Sequence, residues 1–323
     1  MLQALKNPFL ALLGMMALGG LVSLAFDSFV QLMLVIILIN MILAMSLNLV
    51  NGYTGQFSLG HAGFMAVGAY SSAYLSTQMP LLPQPFEILS FALYALVGGT
   101  LAAAAGFVVG LPSLRLKGDY LAIVTLGFGE IIRVVLQSTP AVGGARGMFG
   151  IPGPSEPKFI GGYLHAAVWV IITFFVIWRL IKSTHGRAFL SVREDEIAAE
   201  AMGIDTTRAK VRAFVLSSFF AGIAGSIFAH FTNYLNPSSF SFARSVDAVI
   251  MVVLGGMGSM SGSILAAIFI TVMPEALRPL QELTGVDLRM VIYALSLILL
   301  MILRPKGLFG NKEIWDYVRK KSS

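Results

Sequence analysis

Glycine and polar residues interrupt an apolar run between Asn51 and Phe64, whose sequence is NGYTGQFSLGHAGF. Glycine disfavours the interior of a helix by about 1 kcal/mol, so this composition favours backbone that unwinds inside the protein. At membrane depth, unwound backbone is tolerated where it is buried in protein or lines a water-filled cavity. We therefore predict a translocation element, with the alternative that the small residues only allow helices to pack closely. The candidate pathway residues are Asn51, Gly52, Gly55, Ser58, Gly60 and His61.

A second glycine cluster, Leu254–Ser263, has the sequence LGGMGSMSGS and shares a G-x-x-G-x-x-S pattern with the first. Paired interruptions in corresponding halves of a membrane chain are typical of a pathway built from an internal repeat. The pattern therefore suggests a two-fold repeat, although three matches at Gly and Ser also arise by chance. Its contribution to the candidate pathway is Gly255, Gly258 and Ser261, which match Gly52, Gly55 and Ser58.

A polar stretch, residues 182–212, separates two long apolar segments. Good helix formers from Arg193 to Met202 predict one short helix, which Gly203 ends as a C-terminal cap. Asp205 is suited to cap the helix that follows. The short helix has a small apolar face, for which there are three interpretations. The face contacts lipid headgroups, or it docks into a groove on another protein, or the stretch is only a solvated connector. This face consists of Ile197, Ala198, Ala201 and Met202.

Few ionisable residues occur inside the apolar segments. Glu130 and Arg133 are spaced i, i+3, so they can pair on one helix face, and we interpret them as a structural pair near the outer interface. Asp247 and Glu275 lie near the ends of two short segments, where a proton-relay role is the less favoured alternative.

The chain lacks the signatures of an enzyme or a metalloprotein. It contains no G-x-x-x-x-G-K-[ST] phosphate loop, no H-E-x-x-H and no G-x-S-x-G. Cysteine is absent and the four histidines have no ligand-like spacing. We expect no catalytic residue, no metal site and no cofactor bound by this chain. The net charge of +6 comes from basic residues beside apolar segments, which does not indicate a nucleic-acid partner.

The composition of the chain is typical of a protein built from membrane helices. The chain is 57% hydrophobic and only 12% charged, against about 25% charged in soluble domains, and a helix needs about 20 apolar residues to cross a bilayer. We predict an all-α polytopic transmembrane bundle that forms a single domain over residues 1–323. The apolar segments are Pro8–Phe26, Ser28–Val50, Phe57–Met79, Ile88–Leu111, Tyr120–Leu136, Tyr163–Ile181, Val211–Tyr234, Val246–Gly258, Gly262–Ala276 and Leu288–Leu303.

The number of crossings depends on the two short segments Val246–Gly258 and Gly262–Ala276. As a re-entrant hairpin they give eight crossings, and as two full crossings they give ten. We interpret Pro8–Phe26 as a retained span rather than a signal peptide, because no clear cleavage site precedes Asp27. The chain is thus expected to be a multi-pass protein of the lipid bilayer.

The distribution of positive charge predicts the orientation of the chain. With the N-terminus inside, 16 of the 22 Lys and Arg residues lie on the inner side, as the positive-inside rule requires. Both termini are then cytoplasmic, as are the loop 182–212 and the tail 304–323. The Gly- and Pro-rich loop 139–162 lies outside and is either ordered or flexible.

Four runs of sequence resemble a known family when taken together. The chain resembles the permease subunits of branched-chain amino-acid ABC importers, in the LivM-like branch, and the runs occur in the order of that family. They are NGYTGQFSLGHAGFMAVGAY (Asn51–Tyr70), RLKGDYLAIVTLGFGEIIR (Arg115–Arg133), LGGMGSMSG (Leu254–Gly262) and LRPKGLFG (Leu303–Gly310).

This resemblance implies a function in ATP-driven import of leucine, isoleucine and valine across a prokaryotic cytoplasmic (inner) membrane, by alternating access. It implies a second permease subunit, two ATP-binding subunits that hold ATP and Mg, and an extracytoplasmic substrate-binding protein. Relatives that carry urea or short amides are an alternative, and a stand-alone channel or ion-coupled carrier is another. For a carrier, ion ligands would have to come from residues such as Asn40, Asn48 and Glu130.

The resemblance also assigns a coupling motif. The family pattern E-A-A-x-x-x-G corresponds to IAAEAMG in this chain, with isoleucine at the position of the leading Glu. The residues implied in coupling to the ATPases are Ile197, Ala198, Ala199, Glu200, Ala201, Met202 and Gly203.

Overall fold

A computed structural model of the chain describes residues 14, 17, 28–79, 86–114, 119–154, 158–278, 289–304, 306–310 and 313–314. The predicted first span Pro8–Phe26, apart from residues 14 and 17, lies outside the described residues, as do Arg115, Lys117 and residues 315–323 of the tail. The described part is an all-α bundle, which confirms the predicted fold class.

The helices of the described part follow the predicted segments closely. Six are long and apolar enough to cross a membrane, so the chain is a multi-pass membrane protein. The helices are α1 (Ser28–Asn48), α2 (His61–Gln78), α3 (Glu87–Ser113), α4 (Asp119–Ser138), α5 (Lys158–Ile181), α6 (Thr184–Glu194), α7 (Glu196–Ala201), α8 (Thr206–Thr232), α9 (Phe242–Gly255), α10 (Met260–Ala276) and α11 (Arg289–Leu303).

Helix α8 lies at the centre of the bundle, where it packs against α1, α2 and α3. Glycines permit this close approach: Gly222 of α8 lies against Gly68 of α2 and against Gly98 and Ala102 of α3. A side chain on Gly222 would overlap these neighbours, since its Cβ would lie 2.5 Å from the Ala102 Cβ. Helices in lipid associate through van der Waals packing rather than the hydrophobic effect, and small residues at the interface allow the close approach that this packing needs.

The helical segment that precedes the second glycine cluster is longer than the sequence predicted. Instead of Val246–Gly258, a 3₁₀ turn at Pro237–Phe240 is followed by α9, and together they provide a span of 19 residues. The charges of Arg244 and Asp247 ended the apolar window early, but the helix runs through them because Arg244 donates a hydrogen bond to Asn40 Oδ1 at 2.9 Å. The number of crossings stays a prediction.

The described part of the predicted outer loop, residues 139–154, is ordered against the α8–α9 connection. Two short strands, β1 (Met148–Phe149) and β2 (Tyr234–Leu235), pair antiparallel with Met148 opposite Leu235. Nearby, the Asn233 side chain donates to the Ile151 carbonyl at 2.9 Å. The loop is therefore anchored at the end of the bundle opposite α6 and α7.

Candidate translocation and coupling site

The predicted interruption after α1 is present in the structure. A π-helical turn, Leu49–Tyr53, continues α1, and irregular backbone follows until α2 begins at His61. Two of its polar groups bond locally: Thr54 Oγ1 donates to the Val50 carbonyl at 2.7 Å, and the Ser58 amide donates to Asn51 Oδ1 at 3.2 Å. The unwound backbone thus has partners inside the protein, as an apolar surrounding requires. Asn51 Nδ2 and Gln56 Oε1 are buried without a hydrogen-bond partner among the described residues.

The second glycine cluster forms the tight turn between α9 and α10. Gly256 and Gly258 have φ values of 110° and 92° there, in the region that disfavours side chains. Gly55, the repeat partner of Gly258, also has a positive φ, of 71°. The two-fold repeat remains a hypothesis, and this shared conformation supports it.

Asn48, the last residue of α1, joins the two clusters. Its Oδ1 accepts a hydrogen bond from the Gly258 amide at 2.9 Å, and its Nδ2 donates to the Ser259 carbonyl at 3.0 Å. A side chain at Gly52 would overlap both the Asn48 amide and the Gly258 nitrogen. The structure therefore brings together the two clusters that the sequence paired.

Eight of the nine candidate pathway residues are buried, and only Gly55 is exposed. His61, for example, is 3% exposed and its Nε2 lies 2.9 Å from Ser46 Oγ. The clusters lie at the end of the bundle that carries α6 and α7, rather than midway along the helices. Their assignment to the pathway stays a prediction, and close packing describes their present geometry.

Sequence reasoning missed Glu313, which caps the second cluster from the tail. Its carboxylate accepts hydrogen bonds from the amides of Met260 and Ser261, both at 2.9 Å, and from the Tyr53 hydroxyl at 3.3 Å. These amides belong to the first turn of α10, where a carboxylate is favourable. An acidic residue soon after the LRPKGLFG run was the feature of the sequence that could have suggested a cap. Its partners lie some fifty residues away in sequence, so the sequence did not indicate which helix it caps.

The predicted coupling helix Arg193–Met202 is two helices, which corrects the sequence interpretation. Asp195 is extended, with φ −159° and ψ 110°, and separates α6 from α7. Its Oδ1 accepts hydrogen bonds from the amides of Ile197 and Ala198 at 2.9 and 3.0 Å. The local run of helix formers concealed this break, because Asp is also an effective N-cap.

The predicted end of the coupling helix and the cap of the next helix are both confirmed. Gly203 has a φ of 82°, and the amides of Gly203 and Ile204 donate to the carbonyls of Glu200 and Ala199, as in a Schellman motif. Asp205 caps α8 by accepting a hydrogen bond from the Arg208 amide at 2.9 Å.

Side-chain contacts hold α7 against the start of α8. Lys210 Nζ lies 2.6 Å from Glu196 Oε1, and Thr206 Oγ1 donates to Glu200 Oε1 at 2.6 Å. Ala199 is buried, whereas Ile197 and Met202 are 73% and 82% exposed. We call the exposed face the α7 face; it consists of Ile197, Ala198, Ala201 and Met202.

Arg193, at the end of α6, links this region to the first glycine cluster. Its Nη1 donates to the Gly52 carbonyl at 3.0 Å, and its stem packs on Gly55, where a Cβ would lie 3.0 Å from the Arg193 Cγ. The sequence offered no signal for this contact. It joins the end of α6, the helix that precedes α7, to the broken segment.

The predicted pair of Glu130 and Arg133 is present on α4. Arg133 Nε and Nη2 both lie 2.7 Å from Glu130 Oε2. Glu275 and Arg278, at the end of α10, form a looser pair at 3.8 Å. Among the residues that the structure describes, no group of three or more His, Asp or Glu side chains is arranged to hold a metal ion.

Comparison with known proteins agrees with this arrangement of spans and loops. One family, described as branched-chain amino acid transport system / permease component, matches residues 28–303. The chain belongs to this family. The match covers every helix from α1 to α11, so it includes both glycine clusters and the α7 face of this permease.

Individual relatives are similar over most of the permease. The LivM permease protein of the high-affinity branched-chain amino acid transport system of Escherichia coli K12 is 39% identical over 300 residues, covering 84% of this chain and 68% of the relative. A probable LivM of Methanocaldococcus jannaschii is 25% identical over 328 residues, covering 87% and 93%. The E. coli K12 LivH permease protein is 23% identical over 287 residues, covering 84% and 92%. No solved structure matches the chain.

Proposed function

We propose that this permease is the membrane-spanning subunit of an ATP-driven importer for leucine, isoleucine and valine. The observation that carries the proposal is the α7 face, an exposed apolar surface on a short helix that is capped at both ends and held on α8. Burial of exposed apolar area is the main driving force of protein association. A cytoplasmic ATPase subunit that presents a groove is the partner that this face fits.

The proposed mechanism is alternating access driven from the α7 face. Closure of two ATPases on ATP moves α7, and the short α6–α7 connection transmits the movement to Arg193. Through its hydrogen bond to the Gly52 carbonyl, Arg193 then pulls on the broken segment. The two glycine clusters separate at the inner end, which opens the pathway.

The proposal assigns the remaining tasks to partner subunits. ATP and Mg bind to the two ATPases, which is consistent with the missing phosphate loop in this chain. A second, related permease completes the pathway, and an extracytoplasmic binding protein delivers the amino acid near the ordered loop 139–154. The orientation follows the positive charges, with both termini in the cytoplasm of a prokaryote.

Uptake by the reconstituted complex tests the proposal. The complex is purified with both permeases and both ATPases and placed in proteoliposomes with ATP inside and the binding protein outside. The variant Met202→Asp adds a charge to the α7 face at a side chain that is 82% exposed, so folding should be unaffected. The matched control is Thr184→Asp, which adds the same charge at the exposed start of α6.

We expect ATP-dependent leucine uptake by the wild type and by Thr184→Asp. Uptake by Met202→Asp should fall by about tenfold or more, because burying a charge in an apolar interface costs more than about 1.4 kcal/mol. Normal uptake by Met202→Asp would refute the docking role. Solute movement without ATP or partners would replace the importer with a channel or carrier. Import of urea but not leucine would change only the substrate.

A further inference from the structure

Helix α4 is exposed to an unusual degree for a membrane helix of this bundle. Among the six spans of the described residues, its apolar window is 17% buried, whereas the other five range from 39% to 67%. One side of α4 packs against α2, where Gly60 and Gly63 contact Thr125 and Gly129. The helix also touches α3, α9 and the 3₁₀ turn at Pro237–Phe240, but most of its remaining surface is uncovered in the described chain.

The Glu130–Arg133 pair lies deep along this exposed helix. Glu130 precedes the end of α4 at Ser138 by eight residues, which is about 12 Å of helix, and α4 as a whole is about 30 Å long. The two side chains are 32% and 26% exposed. Charges at this depth are costly in hydrocarbon and face a protein interior or a water-filled space. The pair therefore faces a partner or a pathway rather than lipid tails.

The geometry of the pair leaves one carboxylate oxygen of Glu130 and one guanidinium nitrogen of Arg133 available for other hydrogen bonds. Both bonds from Arg133 go to the same oxygen, Glu130 Oε2. Within the described residues, Glu130 Oε1 and Arg133 Nη1 have no hydrogen-bond partner. Gly127, one turn earlier on the same side, leaves a notch beside Glu130, since a Cβ there would meet no atom within 4 Å.

We propose that Glu130 and Arg133 form a contact site for the charged ends of an α-amino acid as it passes along α4. The ammonium group donates to Glu130 Oε1, and the carboxylate accepts from Arg133 Nη1, an arrangement suited to the guanidinium. The pair and the zwitterion are each neutral overall, so no uncompensated charge enters the membrane. This assignment rests on the proposed function as an amino-acid importer and replaces the purely structural role expected from the sequence.

The site also discriminates between substrate classes. Leucine, isoleucine and valine share the ammonium and carboxylate groups and differ only in their side chains. Urea and short amides carry no charge, so the hydrogen bonds that they form with the pair are weaker than those of a zwitterion, in which both partners of each bond are ionised. A pathway that contains this site therefore favours amino acids over neutral amides.

The test measures radiolabelled leucine uptake by the complete complex in proteoliposomes, with binding protein outside and ATP inside. The key variant is Glu130→Gln/Arg133→Gln, because it removes both charges and leaves no unpaired charge behind. The matched control is Glu275→Gln/Arg278→Gln, which removes a pair with the same i, i+3 spacing from α10. Assembly and ATP hydrolysis stimulated by the loaded binding protein are measured in parallel.

We expect leucine uptake per assembled complex to fall by about tenfold or more in the Glu130→Gln/Arg133→Gln variant, because contacts to two charged groups are lost. Stimulated ATP hydrolysis is retained, and the control stays within about twofold of the wild type. Uptake close to wild type in the key variant overturns the inference, while wild-type import of leucine keeps the proposed function intact. A wild type without ATP-dependent leucine uptake would instead refute the proposed function.

A second variant, Gly127→Leu, tests the notch without changing either charge. A Cβ at Gly127 meets no atom of the described chain within 4 Å, so we expect the complex to assemble and leucine uptake to fall. If Gly127→Leu prevents co-purification with the second permease, this part of α4 is a subunit interface and the inference is wrong. Uptake equal to the wild type would also contradict it. This variant decides the question if the double substitution fails to assemble.

Discussion

Replacing Asn48 with alanine tests the junction between the two glycine clusters. Asn48 is fully buried and is the one described side chain that bonds both the amide of Gly258 and the carbonyl of Ser259. Alanine removes both bonds at once and offers no substitute. The surrounding backbone is held by the turn between α9 and α10, so it has little freedom to find new partners.

The magnitude follows from the groups left behind. An orphaned buried backbone group costs about 1–3 kcal/mol. The Gly258 amide loses its partner in the described chain, but the Ser259 carbonyl still accepts from the Ser263 amide and hydroxyl, both at 3.1 Å. We therefore expect a loss near the lower end of the sum for two groups, about 2–3 kcal/mol. For a chain of this length, the loss corresponds to a fall of roughly 3–5 °C in the melting temperature.

Thermal unfolding of the detergent-purified permease, followed by fluorescence-detected size exclusion, measures this loss. The control is Ser72→Ala, which removes a buried hydroxyl that bonds the Ala69 carbonyl within its own helix. That control should cost less than about 1 kcal/mol, because the carbonyl keeps its helical partner. A melting temperature for Asn48→Ala within about 2 °C of the wild type would refute the reasoning.

Two further substitutions test the coupling contact and the central helix packing. Arg193→Ala removes the hydrogen bond to the Gly52 carbonyl, so leucine uptake should fall while ATP hydrolysis by the complex continues. The control Arg187→Ala changes an exposed residue on α6 and should leave both uptake and hydrolysis unchanged. An unchanged ratio of transport to hydrolysis in Arg193→Ala would contradict the link between α6 and the broken segment. Gly222→Val places a branched side chain against Ala102 and should cost about 1–3 kcal/mol or more, seen as lower yield and melting temperature; a variant as stable as the wild type would contradict the packing.

Much of the fold was predictable because hydrocarbon imposes simple rules on sequence. A span needs about 20 apolar residues and must satisfy its backbone internally, so apolar windows located α1, α3, α4, α5 and α8 to within a few residues. Local chemistry was also readable at the end of α7, where Gly203 and Asp205 cap the helices as predicted. The error at Asp195 arose because a cap and a helix interior residue look alike in a run of helix formers.

The pathway residues were predictable as places of unusual backbone but not in their surroundings. The sequence identified glycines and polar residues at Asn51–Gly60 and Gly255–Ser261, and both segments interrupt helices. It left open whether they are packed in protein or line a cavity, and it did not indicate that they lie at the end of the bundle near α6. Burial depends on which helices approach each other, which the composition of one segment does not encode.

The sequence indicates a membrane permease with several helices, two glycine interruptions and a cap at Gly203 that ends α7. The contacts between distant groups are visible only in the folded chain: Asn48 meets Gly258, Arg193 meets Gly52, and Glu313 meets Ser261. Apolarity and capping act over one helix or one turn, so a single sequence records them. Contacts across 210, 141 and 52 residues depend on how helices pack side by side, and that packing is set by the three-dimensional fit of small residues such as Gly68, Gly98 and Gly222.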